Sequence, residues 1–261
     1  MTQPYRIVRG LGGNGGTYVC RALAAMERVV LLSETNPSSA NLFAFGLNPA
    51  TQIEAHYRHL KLPRFTGNVA ELGAPGVFGR YLETVSRACA EQGLFLVIRD
   101  YNYIDYIGTP MVWCVAGKSS LDAALSTAEK RDVLLIRHPV RQYLSLISHQ
   151  PLNALDHRSF LRAYRRILDI HAQASRFKYE SMFSDFDAQL HLLAKRLQVP
   201  ADDSYKSRLP RVAWITGHQA GKSRQTALPP DPRMEIPVDL LKLFRRSQDY
   251  RKICSACDYD V

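Results

Sequence analysis

Four short apolar runs limit what this chain can fold into: Tyr5–Gly10, Val29–Ser33, Leu94–Ile98 and Val133–Ile136. Each is nearly continuous and rich in β-branched residues or leucine, as strands buried on both faces of a parallel sheet are. Helix-length stretches follow them: Thr17–Glu27, Val77–Gln92 and Leu121–Lys130, then Val140–His149, Ser159–Ala174, Asp185–Leu197 and Val238–Arg246. Strands alternating with helices predict an α/β fold, a three-layer sandwich with a central, mainly parallel sheet. Asn36–Phe65, Tyr101–Ser120 and Asp202–Arg233 match neither pattern and read as long loops. No repeat, low-complexity tract or linker divides the 261 residues, so one domain is expected, with variable loops near 35–75, 101–128 and 200–235.

Parallel sheets bind ligands beyond the carboxyl ends of their strands. That rule selects Gly12–Thr17, Glu34, Arg99-Asp100 and Arg137, and it predicts one cleft that collects all four. The first of them lies in "GLGGNGGTYV", with five glycines in seven positions from Gly10 to Gly16. Glycines let backbone N–H groups converge, and the following helix points its positive dipole end at the concavity, so the segment reads as an anion loop. Thr17 can cap that helix or offer its hydroxyl to the anion. The kinase-type phosphate loop, G-x-x-x-x-G-K-[ST], would place lysine where this chain has Gly16. The loop alone does not say which anion it holds.

A second motif, "LLIRHPVRQYLSLI" over residues 134–147, ends a strand at Ile136 and opens a helix with Pro139 in its first turn, where proline is tolerated. Arg137 at the strand end and Ser145 on the helix can grip one phosphate from two sides. Together the two motifs resemble the sulfotransferase family, the branch of the P-loop fold that uses 3′-phosphoadenosine 5′-phosphosulfate (PAPS). In that family a P-K-S-G-T-T loop holds the 5′-phosphosulfate, and an R-x-P followed by a serine holds the 3′-phosphate. The resemblance places Gly12, Gly13, Asn14, Gly15, Gly16, Thr17 and Tyr18 at the first site and Arg137 and Ser145 at the second. Tyr179, in a family-like "YE" after a basic strand, and Lys222 and Arg224, in a loop like the one that closes over the nucleotide, complete the set. The implied donor is PAPS and the implied product adenosine 3′,5′-bisphosphate, with no metal. The chain departs from the family at Gly13, where a lysine or arginine usually stands to support the departing oxygen.

Sulfuryl transfer also needs a base for the acceptor proton and positive charge at the leaving phosphate. Arg99 is the expected replacement cation, and Glu34 and Asp100 compete as base; protein-tyrosine sulfotransferases carry a catalytic glutamate in the region of Glu34. As ordinary structural residues, Glu34 would cap a helix or join a salt bridge, and Asp100 would pair with a neighbouring arginine. Tyr101, Tyr103, Tyr106 and Trp113 form an acceptor platform or pack a loop on the core. His138 falls inside the R-x-P motif, and His149, His157 and His171 fall on predicted helices as surface or packing residues. The eight histidines form no metal-ligand pair with carboxylates, and Cys254-Ser-Ala-Cys257 is a lone C-x-x-C read as part of a helical tail.

Net charge is +10, which favours an anionic partner. The basic residues are dispersed and show no zinc-finger or RNA-binding signature, so a small polyanion is expected before nucleic acid. No run nears the roughly 18 apolar residues of a membrane span, and the N-terminus enters a strand almost at once, so a cytoplasmic protein without membrane insertion is expected. The acceptor, whether small molecule, glycan or peptide, and the oligomeric state are not legible. Two other readings stand beside the sulfotransferase: a nucleotide kinase or other P-loop NTPase, and a nucleotide-binding protein that kept the fold without the chemistry.

Overall fold

The computed structural model describes residues 3–39, 47–107, 118–148, 155–215 and 235–261. Its strands are β1 (Tyr5–Arg9), β2 (Val29–Thr35), β3 (Phe95–Asp100), β4 (Lys130–Ile136) and β5 (Ser175–Lys178). They form one sheet in the order β2-β3-β1-β4-β5, with every pair parallel. Helix α1 (Gly16–Ala24) joins β1 to β2, while α2 (Pro49–His56) and α3 (Pro75–Glu91) lie between β2 and β3. Short α4 (Tyr103–Tyr106) and α5 (Ser120–Ala124) precede β4, and α6 (Pro139–Ile147) and α7 (His157–Ile170) connect it to β5. After β5 come α8 (Tyr179–Ser184), α9 (Phe186–Leu197), α10 (Tyr205–Arg208), α11 (Val238–Arg245) and α12 (Gln248–Ala256).

Alternation along the strands builds the two outer layers. Val8, Leu31, Val97, Val133, Leu135 and Phe177 face a core shared with α1, α8 and α9. On the opposite face, Ile7, Val30, Leu32, Leu96 and Ile98 pack under α2, α3 and α5, and Leu134 and Ile136 pack under α6, α7, α11 and α12. The α/β sandwich is as expected, with a wholly parallel sheet. β1 is central, so the loop that follows it lies mid-sheet, where strands depart to both sides; this is the position open α/β sheets use for ligands.

The outer edge of β2 is covered. The Gln52 side chain accepts from the Ser33 N–H at 2.7 Å and donates to the Ser33 carbonyl at 2.8 Å, as a neighbouring strand would. The Tyr57 hydroxyl does the same at Leu31, accepting from its N–H and donating to its carbonyl. At β5, Lys178 Nζ donates to the Asp258 carbonyl and Arg176 to that of Ala256, tying the C-terminal segment to that strand's side chains.

Two expectations change. The predicted helix Leu121–Lys130 is only the short α5, and Lys130 already belongs to β4; Lys130-Arg131-Asp132 lies at the half-buried start of that strand and carries no apolar signature. α2 arises inside the stretch read as irregular, started by Asn48, whose side chain accepts from the N–H groups of Ala50 and Thr51, with Pro49 in its first turn. β5, "SRFK", is the basic strand expected ahead of the "YE", too short and too basic to register as an apolar run.

Candidate functional site

The loop after β1 is held from below by side chains that copy backbone hydrogen bonds. The Asn14 carboxamide donates to the Leu135 carbonyl of β4 and accepts from the Gly16 N–H, both at 3.0 Å. Gln142 of α6 donates to the carbonyls of Leu11 and Gly12, and Asn102 accepts from the Gly10 N–H at 3.1 Å. These contacts turn the loop carbonyls and Asn14 inward. Gly13 and Gly15 both sit at φ 81°, the left-handed region that glycine occupies without cost. A Cβ at Gly13 would lie 2.8 Å from the Gln142 carbonyl and 3.3 Å from Cβ of Ser145, so α6 closes that side of the loop. One at Gly15, the residue before α1, would enter the Tyr179 ring at 2.5 Å.

Arg137 reaches the same loop from β4. Its Nη1 donates to the Gly13 carbonyl at 3.2 Å, and its guanidinium lies 4.3 Å from the centre of the Tyr179 ring. Tyr179 is therefore a plate between Gly15 and Arg137. The Arg137 backbone is clamped as well: the Tyr164 hydroxyl accepts from its N–H and donates to its carbonyl. Ser145 backs onto Gly13 from the second turn of α6. The two sequence motifs thus meet at one loop, although Arg137 approaches from the side opposite Glu34 and Arg99.

Glu34 and Arg99 stand at the other side of the loop. A small cavity of about 20 Å³ there is lined by Gly10, Gly12, Gly16, Glu34, Arg99 and Asp100, among others. Arg99 Nη2 binds Glu34 Oε1 at 2.8 Å, and Arg99 Nε lies 3.6 Å from where a Gly16 Cβ would stand. The pairing of β2 with β3 slips between Leu32 and Thr35, and Glu34 sits in that irregularity at φ 53°. Left-handed backbone at a non-glycine residue costs on the order of 1 kcal/mol and concentrates at functional sites.

Asp100, one residue beyond Arg99, faces the other side of the sheet. It is wholly buried and accepts from Arg9 Nη1 at 2.8 Å, from Asn36 at 3.2 Å and from Asn102 at 2.8 Å. Burial pushes its pKa up to about 7 against the pull of Arg9, with Asp105 adding to the rise. Arg9 also binds Asp122 and Asp132, each at 2.7 Å. Although burial opposes charge on Arg9, its three carboxylates outweigh that and hold its pKa above the usual value. Both carboxylates thus line the small cavity, Glu34 half-buried and paired with Arg99, Asp100 wholly buried and paired with Arg9.

Several solved structures share this architecture. A sulfotransferase domain from the curacin biosynthetic pathway superposes with a TM-score of 0.55 at 14% identity, over 100% of both chains. The sulfotransferase of Alicyclobacillus acidocaldarius gives 0.51 at 13%, over 100% of this chain and 98% of the other. Sulfotransferase STF9 of Mycobacterium avium gives 0.51 at 11%, over 100% and 78%. The fold is that of the sulfotransferases. No protein-family model and no curated protein sequence matches the chain.

Within the sulfotransferase fold, the remaining expected residues divide by position. Tyr18 is buried on α1, edge-on to Phe186 at 4.8 Å, and Thr17 is half-buried in the first turn. Tyr101 packs with Leu47 and Ile104, and the Tyr106 hydroxyl lies 3.4 Å from His171 Nε2, so these two tyrosines pack their loop on the core. Lys222, Arg224, Trp113 and His149 lie outside the described residues. Among the described residues no group of His, Cys, Asp and Glu is placed to hold a metal ion, and no helix is long and apolar enough to cross a membrane.

An arginine partner for Asp100 was the expected structural alternative, but that it is Arg9, shared with Asp122 and Asp132, escaped the sequence reading. Tyr5, Ile7 and Arg9 share one face of β1, and Asp100 and Asp132 occupy the matching face of β3 and β4. Period-two alternation gives the faces, and the strand order is needed to pair them.

Proposed function

We propose that this chain is a sulfotransferase that takes PAPS as donor and passes its sulfuryl group to a hydroxyl or amine of a small-molecule, glycan or peptide acceptor. The observation that carries the reading is the meeting of the two motifs, with Arg137 on the Gly13 carbonyl and flat against Tyr179, whose ring closes over Gly15. Backbone N–H groups at the start of α1 suit the 5′-phosphosulfate. The guanidinium of Arg137, with the hydroxyl of Ser145, suits the 3′-phosphate. Lys222 and Arg224 are assigned to the same nucleotide by resemblance. Bound there, PAPS supplies an activated sulfuryl group and leaves as adenosine 3′,5′-bisphosphate.

Arg99 supplies the cation that the loop lacks. Position 13 cannot offer a side chain without displacing α6, whereas Arg99 lies against Gly16 from below. Glu34 is the base that takes the acceptor's proton, since it shares the mouth of the loop with Arg99 while Asp100 is buried against Arg9.

Calorimetric titration with adenosine 3′,5′-bisphosphate tests the reading. Wild type binds it without magnesium, and Arg137→Ala loses at least about tenfold in affinity, the worth of a charge-assisted hydrogen bond. Equal binding by Arg137→Ala removes the site assignment. Magnesium-dependent ATP hydrolysis with indifference to the bisphosphate replaces the sulfotransferase with an NTPase. Bisphosphate binding without transfer to any acceptor makes the chain a binding protein.

A further inference from the structure

The segment that follows α12 is connected to Arg137 through two residues. Lys178 Nζ donates to the Asp258 carbonyl at 2.9 Å and lies 4.8 Å from the centre of the Tyr259 ring. Tyr259 N–H donates to the Cys254 carbonyl, and Asp258 turns through φ 50°, which swings the Tyr259 side chain back over β5. Its hydroxyl then donates to Glu180 Oε2 at 3.0 Å. The other oxygen of that carboxylate, Oε1, accepts from the His138 N–H at 2.9 Å. The His138 ring is enclosed edge-on by Tyr259 at 5.5 Å and by Tyr250 at 6.2 Å, with the Tyr250 hydroxyl 3.4 Å from Nε2.

Glu180 thus has two jobs. It ties down the peptide immediately after Arg137, and it opens α8 together with Tyr179, the ring on which the Arg137 guanidinium rests. Tyr259 holds that carboxylate in place. Burial pushes the phenol's pKa up, so it stays a donor across the physiological range.

We infer that Tyr259, acting through Glu180 and His138, is a positioning residue for Arg137 and so sets affinity for the 3′-phosphate of the nucleotide. This rests on the nucleotide reading above. Tyr259 reaches the glycine loop only by way of Arg137 and Tyr179, so its influence falls first on the phosphate that Arg137 holds. That order separates positioning from general support of the fold.

The test compares two nucleotides. Tyr259→Phe keeps the ring and removes only the hydroxyl; its binding of adenosine 3′,5′-bisphosphate falls about 3- to 10-fold, the range of one hydrogen bond. Its binding of adenosine 5′-monophosphate, which lacks the 3′-phosphate, stays within about twofold of wild type. Glu180→Gln, which cannot accept from both partners while keeping its own amide satisfied, shifts the same ratio in the same direction. Equal weakening toward both nucleotides makes Tyr259 a structural residue, and no change toward either cuts the link to Arg137. If Tyr259→Phe fails to fold, Glu180→Gln alone decides by the same ratio. A wild-type protein that binds neither nucleotide, or Arg137→Ala binding the bisphosphate normally, removes the nucleotide reading itself, and with it this inference.

Discussion

At position 13 the loop contains a glycine that cannot be exchanged for the cation it appears to lack. Its backbone is left-handed and its missing side chain would point into the Gln142 carbonyl. Gly13→Lys should therefore destabilise the protein by about 1–3 kcal/mol and weaken bisphosphate binding, although it adds positive charge. Denaturant unfolding with a parallel binding titration checks this, and tighter binding by the variant would place the anion elsewhere. Glu34 is the complementary case. Glu34→Gln keeps the shape of the side chain and loses its basicity, so turnover should fall by roughly 10²- to 10⁴-fold while the bisphosphate still binds. Turnover within tenfold of wild type would transfer the role of base to another group.

Among the elements, the seam on the α3/α7 face of the sheet is filled by charge rather than by carbon. Arg9 joins β1 to β3 through Asp100, to α5 through Asp122 and to β4 through Asp132. Arg9→Met would leave Asp100 buried without its partner, and breaking a buried pair on one side costs about 3–5 kcal/mol. A loss of unfolding free energy of that order, read from urea denaturation, is expected at pH 7.5 and a smaller one at pH 5, where the Asp100 carboxyl, with its pKa of about 7, is already protonated. His171 sits at the rim of the same seam, its Nδ1 4.0 Å from Asp132, and burial together with Arg9 lowers its pKa to about 3. The folded state thus keeps this imidazole neutral while the unfolded chain protonates it near 6.5. Its contribution is complete above pH 6.5 and is lost as pH falls toward 3, at up to about 1.4 kcal/mol per pH unit. His171→Gln should flatten that limb of a stability profile; an unchanged slope would mean that another group carries it.

The same scale shows what the sequence could and could not convey. β1 to β4 were legible because their centres are buried on both faces and read as unbroken apolar runs. The glycine loop and Arg137 were legible because strand ends in a parallel sheet point to one place. β5 was legible only through the "YE" that follows it, since only Phe177 of its four residues is buried. α2 was hidden because its inward residues include Gln52, which serves the edge of β2 rather than the apolar core. The roles of Glu34 and Asp100 could not be separated beforehand. One pleat puts Arg99 and Asp100 on opposite faces, and only the pairing of β1 with β3 and β4 reveals that Arg9 waits for the second of them.

Taken as a whole molecule, the chain is a parallel sheet whose proposed site lies at the carboxyl end of its central strands and whose β2 flank is closed by its own side chains. The carboxamide of Gln52 and the phenol of Tyr57 occupy the outward hydrogen-bonding positions of β2 at Ser33 and Leu31. A free β-edge is a template for another chain, and natural sheets are protected against it. Here the protection is mimicry: Gln52 of α2 and Tyr57, the residue just after that helix, behave as a phantom strand. Copies of this protein consequently have no ladder to extend at Leu31 and Ser33 of that flank. Replacing Gln52 with leucine would peel back that mask, and sedimentation of the variant should reveal concentration-dependent self-association absent from the parent.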